Sequence, residues 1–386
     1  MQCLLLADDI APPWNKGEKV LIRNLARILT SLYGDSFKVF LTIRDNSDVN
    51  LREIRKYFHN ALVIKRVNNS WINTVKLCIQ SMLWRNSSNN IIHVASLHYS
   101  LATSLIKVLT RNKSRLVIHV YQLESDYVSP WFMRINITAI KLYSSLTDAV
   151  CATSSNIRSK LSELGVKSFY LPPAIDTEFY KPKSVKRLRA RLNIKEDDIV
   201  LLYIGNITPT RFPSNVVLKA VKMLIKQGIN IKFLIYAPCL SYNYTYRNIL
   251  FEKIRNFQLE QHVYFSIEDL TEEEKANIYN IADIFIFPSL KPQAIDPPIT
   301  VLEAMSCGKI VIASPIQSLT QIINHRINGL LVHPLSKDFY LTLYTVCKDV
   351  DSFKNICRNA RQTILRNFSF EAVSRRLQIL HSMLKS

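Results

Sequence analysis

The stretch Asp296-Pro297-Pro298-Ile299-Thr300-Val301-Leu302-Glu303-Ala304-Met305-Ser306-Cys307-Gly308-Lys309 concentrates residue types that can hold a phosphorylated ligand. Its two prolines mark an irregular loop, and the spacing predicts a short helix that begins near Thr300 and ends at Gly308. The first amides of such a helix lack intrahelical acceptors and carry the positive end of its dipole. Pro298, Ile299, Thr300 and Val301 therefore mark a place where a diphosphate is stabilised. Glu303, about one turn further in, is spaced to accept hydrogen bonds from a ribose, and Asp296 in the loop to hold a sugar hydroxyl. A structural alternative stands beside this reading, in which Asp296 caps a turn and Glu303 lies on a solvated helix face.

Seven glycines occur in 386 residues, far below the roughly 7% of average usage, so those present hold backbone positions that other residues cannot. Gly34, Gly165 and Gly228 fit helix ends or turns, and Gly329 a turn before Leu330-Leu331-Val332. Gly17, Gly205 and Gly308 stand at junctions of strand and helix, where open α/β sheets bind ligands. Around them, short β-branched runs alternate with amphipathic stretches from end to end, which predicts parallel sheets with helices on both faces. Strands are expected at 3–7, 38–43, 61–64, 91–94, 116–120, 149–152 and 168–171, and again at 199–204, 232–237, 263–265, 284–287 and 310–313. Ser154 opens one helix as its cap, Ile157, Leu161 and Leu164 recur at helical spacing, and Gly165 stops it. A second helix spans 214–227 and closes at Gly228.

Length and the doubled pattern predict two Rossmann-like, doubly wound domains facing a cleft, divided after residue 173. The boundary is placed at Leu171-Pro172-Pro173-Ala174-Ile175-Asp176, followed by Pro182 and a basic run from Lys181 to Arg191 that is expected to be irregular. Apolar residues make up 48% of the chain and charged ones 21%, which excludes a disordered protein. The longest apolar runs are strand-sized, short of the roughly 18 residues of a membrane span. Without a basic, then apolar leader at Met1, the expected location is the cytoplasm. Cysteines at 3, 78, 151, 239, 307, 347 and 357 form no CxxC pair and read as buried small apolar groups rather than a zinc or disulfide framework. Fifty Lys and Arg against thirty Asp and Glu give a formal charge of +20, which implies attraction to a polyanion or an anionic membrane face.

Phe287-Pro288-Ser289 and then Pro298 through Ser314 resemble the donor-site signature of glycosyltransferase family 4, retaining enzymes of the GT-B fold. The likeness extends to Pro172-Pro173-Ala174-Ile175-Asp176-Thr177-Glu178-Phe179 with Pro182, and to Tyr203-Ile204-Gly205-Asn206-Ile207. Phe368-Ser369-Phe370-Glu371 is similar to the start of the family's last helix, which implies a second domain over 174–365 and a helix over 366–386 that packs back on the first domain. The resemblance implies a donor site of Glu303, Gly205, Asn206, Pro298, Ile299, Thr300 and Val301, with Arg211 as the cation on the leaving diphosphate. Three positions depart from the family pattern. Ile295 stands where a carboxylate is usual, so the role passes to Asp296; Asn206 stands where Arg is usual; and the family's first-domain histidine falls near Tyr121, with His119 two residues earlier. Lys16 and Gly17, after the first strand, correspond to the family's glycine loop against acceptor and phosphate.

The implied reaction is transfer of a hexosyl group from a nucleotide-sugar to a hydroxyl of a glycan or lipid-linked acceptor with retention, without enzyme nucleophile, cofactor or metal. An anionic membrane face is an implied partner, with Trp131-Phe132-Met133-Arg134 as a docking edge. Asp349-Val350-Asp351 resembles a metal-binding DxD motif but reads as a helix surface. Two alternatives share the composition: a hydrolysing sugar-nucleotide epimerase, and a basic nucleic-acid-binding or base-glucosylating protein. The second ranks lower because the cations are spread over many helices instead of one aromatic-interleaved stripe.

Overall fold

The computed structural model describes residues 2–7, 14, 16–43, 54–55, 57, 61–65, 78–81, 87–123, 138–292 and 295–385. The chain forms two compact units. The first comprises Met1–Ala174, Gln293–Asp296 and Phe370–Ser386, and the second Ile175–Pro292 and Pro297–Ser369.

In the first unit, β1 (Cys3–Ala7), β2 (Phe37–Ile43), β3 (Ala61–Lys65), β4 (Ile91–Ala95), β5 (Arg115–Val120), β6 (Ala149–Ala152) and β7 (Phe169–Tyr170) pair in the order β3-β2-β1-β4-β5-β6-β7. Every pairing is parallel. Helices α1 (Gly17–Tyr33), α2 (Leu97–Leu109) and α3 (Ser155–Glu163) connect them. A parallel strand covered on both faces reads as an unbroken apolar run, and Cys3-Leu4-Leu5-Leu6-Ala7 is buried at every position. The expected cap of α3 is present: Ser154 Oγ accepts from the Ile157 amide at 3.0 Å, Ile157 and Leu161 are buried, and Gly165 takes a φ of 77°.

The second unit repeats the plan with β8 (Ile199–Ile204), β9 (Ile231–Ala237), β10 (Val263–Ile267), β11 (Ile284–Phe287), β12 (Ile310–Ala313) and β13 (Leu330–Leu331), in the order β10-β9-β8-β11-β12-β13 and again all parallel. Its helices are α4 (Lys186–Arg191), α5 (Ser214–Lys226), α6 (Ser241–Asn256), α7 (Glu272–Ile281), α8 (Ile299–Ser306), α9 (Leu319–Ile322), α10 (Lys337–Lys348) and α11 (Lys354–Asn367). Val217, Leu218, Val221 and Leu224 of α5 are fully buried against the sheet core, each worth about 1.5–3 kcal/mol relative to exposure. The chain then closes with α12 (Phe370–Met383), which groups with the first unit.

Two local expectations need correction. Inside the basic run, Lys186–Arg191 is helical, because Pro182 bars the helix only near itself and Lys, Arg, Leu and Ala beyond it are good helix formers. Beyond Gly329, Leu330 and Leu331 extend the sheet by pairing with Ile312 and Ala313, a strand too short for any periodic pattern. Trp131-Phe132-Met133-Arg134 lies outside the described residues.

Inside the first unit, three imidazoles form a chain. His93 Nδ1 stands 2.8 Å from His119 Nε2, and His93 Nε2 stands 2.9 Å from His381 Nε2 on α12. His381 Nδ1 continues to the Tyr33 hydroxyl on α1. Burial pulls His119 down to about 3 and His381 to about 4, and holds His93 well below the usual histidine value. The unfolded chain takes these protons near pH 6.5 and the folded chain does not, so the chain's contribution to stability is complete above pH 6.5 and declines as pH falls toward the folded values. The limiting slope is about 1.4 kcal/mol per pH unit for each histidine. Urea unfolding at pH 7.5, 6.0 and 5.0 should show a steady loss of stability, whereas an unchanged midpoint across that range would mean that the core accepts charged imidazoles.

Candidate functional site

In the second sheet the chain runs outward from β8 through β9 to β10 on one side, and from β11 through β12 to β13 on the other. The winding reverses between β8 and β11, and loops leaving the carboxyl ends of two such strands diverge and open a crevice for ligand. Their described residues in the second unit are 205–213, 288–292 and 297–298. They are tied together beyond the strands: the Leu290 amide donates to Thr210 O at 2.7 Å, while the Ser289 hydroxyl donates within its own loop to Lys291 O at 2.9 Å.

Gly205 ends β8. A Cβ at this position would lie 2.9 Å from the Tyr203 hydroxyl oxygen and 3.1 Å from Tyr203 Cζ, so a larger residue would have to displace the end of the Tyr203 side chain. Tyr203 in turn donates to Asn206 O at 2.5 Å. Asn206 Oδ1 accepts from Asn243 Nδ2 at 3.3 Å, and Asn243 Oδ1 receives the Ile207 amide at 3.0 Å. Arg211 is buried in the following turn, where its amide and that of Phe212 donate to Thr208 O at 2.9 and 2.8 Å.

From the other loop, α8 starts at Ile299 after Pro298, with no side chain capping its amides. Val301 N and Leu302 N turn back to Pro298 O, at 3.2 and 3.4 Å, so the amides of Ile299 and Thr300 head the helix without an acceptor inside it. The far end of α8 is held firmly. Arg361 donates to Ser306 O at 2.7 Å and to Tyr180 O at 3.2 Å, and Ser306 Oγ donates to Tyr180 O at 2.5 Å. A guanidinium on the last carbonyls also complements the negative end of the dipole. Gly308 takes a φ of 65° and stops the helix where expected.

Glu303 is fully buried, which sets aside the solvated-face alternative. Its Oε2 accepts from Tyr279 OH at 2.9 Å and lies 2.5 Å from Lys275 Nζ, both on α7. Its Oε1 is buried and has no partner among the described residues. Thr208 Oγ1 and Ser314 Oγ, in the loop after β8 and at the end of β12, share that condition. Buried acceptors and hydroxyls without partners are uncommon, and here they point to a ligand that supplies them.

Asp296, His119, Tyr121, Lys16 and Gly17 group with the first unit. Asp296 is buried, and Oδ2 accepts from Ser154 Oγ at 2.5 Å and Asn156 Nδ2 at 3.2 Å. Its carbonyl accepts from Thr153 Oγ1 at 2.7 Å, and its amide donates to Tyr121 O at 3.3 Å. The carboxylate expected at a sugar hydroxyl is therefore engaged at the start of α3. Ile295 beside it is buried as an apolar residue. His119 is 1% exposed and is bonded to His93 inside the sheet core of the first unit. Tyr121 is half-buried, and Lys16 and Gly17 form the N-terminus of α1, with the Val20 amide returning to Lys16 O at 3.2 Å. Asp349 and Asp351 sit on an exposed turn, where Asp349 caps Ser352 N and Asp351 pairs with Lys354 at 2.8 Å. Among the described residues no group of three or more His, Cys, Asp or Glu is arranged to hold a metal ion.

Residues 184–363, in the second half of the chain, match the sequence model of the family described as glycosyl transferases group 1. Lipopolysaccharide 1,2-N-acetylglucosaminetransferase of Salmonella typhimurium is 27% identical over 213 residues, covering 54% of this chain and 54% of that protein. D-inositol 3-phosphate glycosyltransferase of Saccharomonospora viridis is 25% identical over 205 residues, 50% of this chain and 40% of that protein. The matched stretch thus spans about half the length of these relatives. The crystal structure of Anabaena HepE in complex with UDP-glucose superimposes with a TM-score of 0.80 at 18% identity, covering 99% of this chain and 100% of that one. Agreement of that extent establishes the GT-B architecture of two parallel α/β units. No described helix is long and apolar enough to cross a membrane.

Proposed function

We propose that the chain is a retaining glycosyltransferase that moves a sugar from a nucleoside diphosphate donor to a hydroxyl of a glycan or lipid-linked acceptor. The observation that carries this reading is the buried, unpartnered Oε1 of Glu303, one turn into a helix whose first amides are open at the winding reversal of a parallel sheet. It is supported by the group 1 match over residues 184–363 and by the HepE complex, which makes UDP-glucose a first donor to try.

Glu303 accepts the ribose hydroxyls, while the amides of Ile299 and Thr300 and the Arg211 guanidinium face the diphosphate. Charge grows on the departing diphosphate in the transition state, so donors already aimed there lower the barrier without reorganisation. The acceptor hydroxyl approaches the face that the nucleotide leaves, and a donor phosphate oxygen takes its proton. No enzyme nucleophile and no metal enter this scheme. Asn206 gives only a neutral donor where a cation is usual, which leaves Arg211 as the principal charge on the leaving group. Lys16, Gly17 and Tyr121 are assigned to the acceptor side.

A panel of nucleotide-sugars should raise the melting temperature for at least one member, since a ligand bound only by the folded state stabilises it by mass action. Glu303→Ala should cost at least tenfold in donor affinity or turnover, about 1.4 kcal/mol. Turnover should survive chelation and yield the donor's anomeric configuration. Inversion, or activity restored only by manganese, contradicts the mechanism; release of an epimerised free sugar from donor alone favours the epimerase.

The +20 charge suits an enzyme held at an anionic membrane face, where each basic side chain near the surface contributes about 1 kcal/mol. Co-sedimentation with anionic liposomes that weakens with salt is expected. Equal behaviour with neutral liposomes removes that part of the proposal.

A further inference from the structure

Resting on the donor-site reading, we propose that Lys275 and Tyr279 are positioning residues that make Glu303 a one-sided acceptor for a vicinal diol. They thereby set the preference of the site for ribonucleotides over deoxyribonucleotides.

The start of α7 is fixed by a reciprocal cap. Thr271 Oγ1 accepts from the Glu274 amide at 3.2 Å, and Glu274 Oε2 accepts from the Thr271 amide at 2.8 Å. This sets the phase of the helix, so that Lys275 and Tyr279, four residues apart, share one face. Both then reach the same atom: Lys275 Nζ lies 2.5 Å from Glu303 Oε2, and Tyr279 OH is 2.9 Å from it, with Thr300 O also within 3.2 Å of that hydroxyl. Tyr279 is fully buried and the Lys275 side chain is 14% exposed.

Two donors on one oxygen leave the other open. A carboxylate can accept at both oxygens, and with both protein donors on Oε2 no described residue fills Oε1. A ribose presents two adjacent hydroxyls that can both donate to such an oxygen, whereas a 2′- or 3′-deoxyribose presents one. Sites built to bond a hydroxyl discriminate strongly against the analogue that lacks it, because the buried partner is then left unpaired. If Lys275 and Tyr279 only tied α7 to α8, their loss would weaken every nucleotide equally.

The test uses calorimetric titration of the full chain with UDP, ADP and GDP, followed by the 2′-deoxy and 3′-deoxy forms of whichever binds tightest. Wild type should prefer the ribonucleotide by tenfold or more. Lys275→Met and Tyr279→Phe should lose affinity for the ribonucleotide while their affinity for the deoxy forms stays within about twofold. A ratio unchanged in Lys275→Met and Tyr279→Phe, or a parallel fall for all nucleotides, overturns the inference; so does a wild type that binds nucleotides without ribose preference. A wild type that binds none of the three overturns the donor-site reading instead. Should Lys275→Met not fold, Tyr279→Phe, which removes a single oxygen, decides the question.

Discussion

Every strand pairing in both sheets is parallel, and parallel neighbours cannot be joined by a tight turn. Each connection must cross the sheet, usually as a helix, and right-handed crossovers move the chain steadily in one direction until it returns to the centre and sets out the other way. At that return the loops leaving two adjacent strands diverge. In the second unit the return lies between β8 and β11, and Gly205, Asn206, Arg211 and the Pro298 helix end all stand on the two loops that leave them. The location of the candidate site thus follows from strand order before any side chain is considered.

Side chains then decide what the location can hold. A carboxylate with no solvent access is costly unless it is paired and hydrogen-bonded. Glu303 meets that requirement on one oxygen through Lys275 and Tyr279 and leaves it unmet on the other. At the opposite end of α8, Arg361 and Ser306 fix the helix to Tyr180, so the open amides at Ile299 and Thr300 are held by a helix that cannot easily shift.

Much of this was legible in the sequence because buried parallel strands are continuous apolar runs and because glycine and proline punctuate the loops between them. The helix Ile299–Ser306 could be read from the prolines before it and from Gly308 just past its end. Its environment could not. Lys275 follows Glu272, Glu273 and Glu274 and reads as part of a solvated charge run, although its spacing of four from Tyr279 was the available signal. Ser154 and Asn156 meet Asp296 across 142 and 140 residues of chain, and His93 meets His381 across 288. Such pairings are products of topology, which no local pattern encodes. The same reason explains why Glu303 could be taken for a surface residue.

The claim on which the account turns is that the second unit binds a nucleoside diphosphate at the head of α8. A crystal structure of the full chain with a bound nucleoside diphosphate tests it directly. The account predicts the ribose hydroxyls within hydrogen-bonding distance of Glu303 Oε1 and the diphosphate against the amides of Ile299 and Thr300, with Arg211 turned toward it. A nucleotide bound elsewhere, with Glu303 Oε1 still unpartnered, would contradict it.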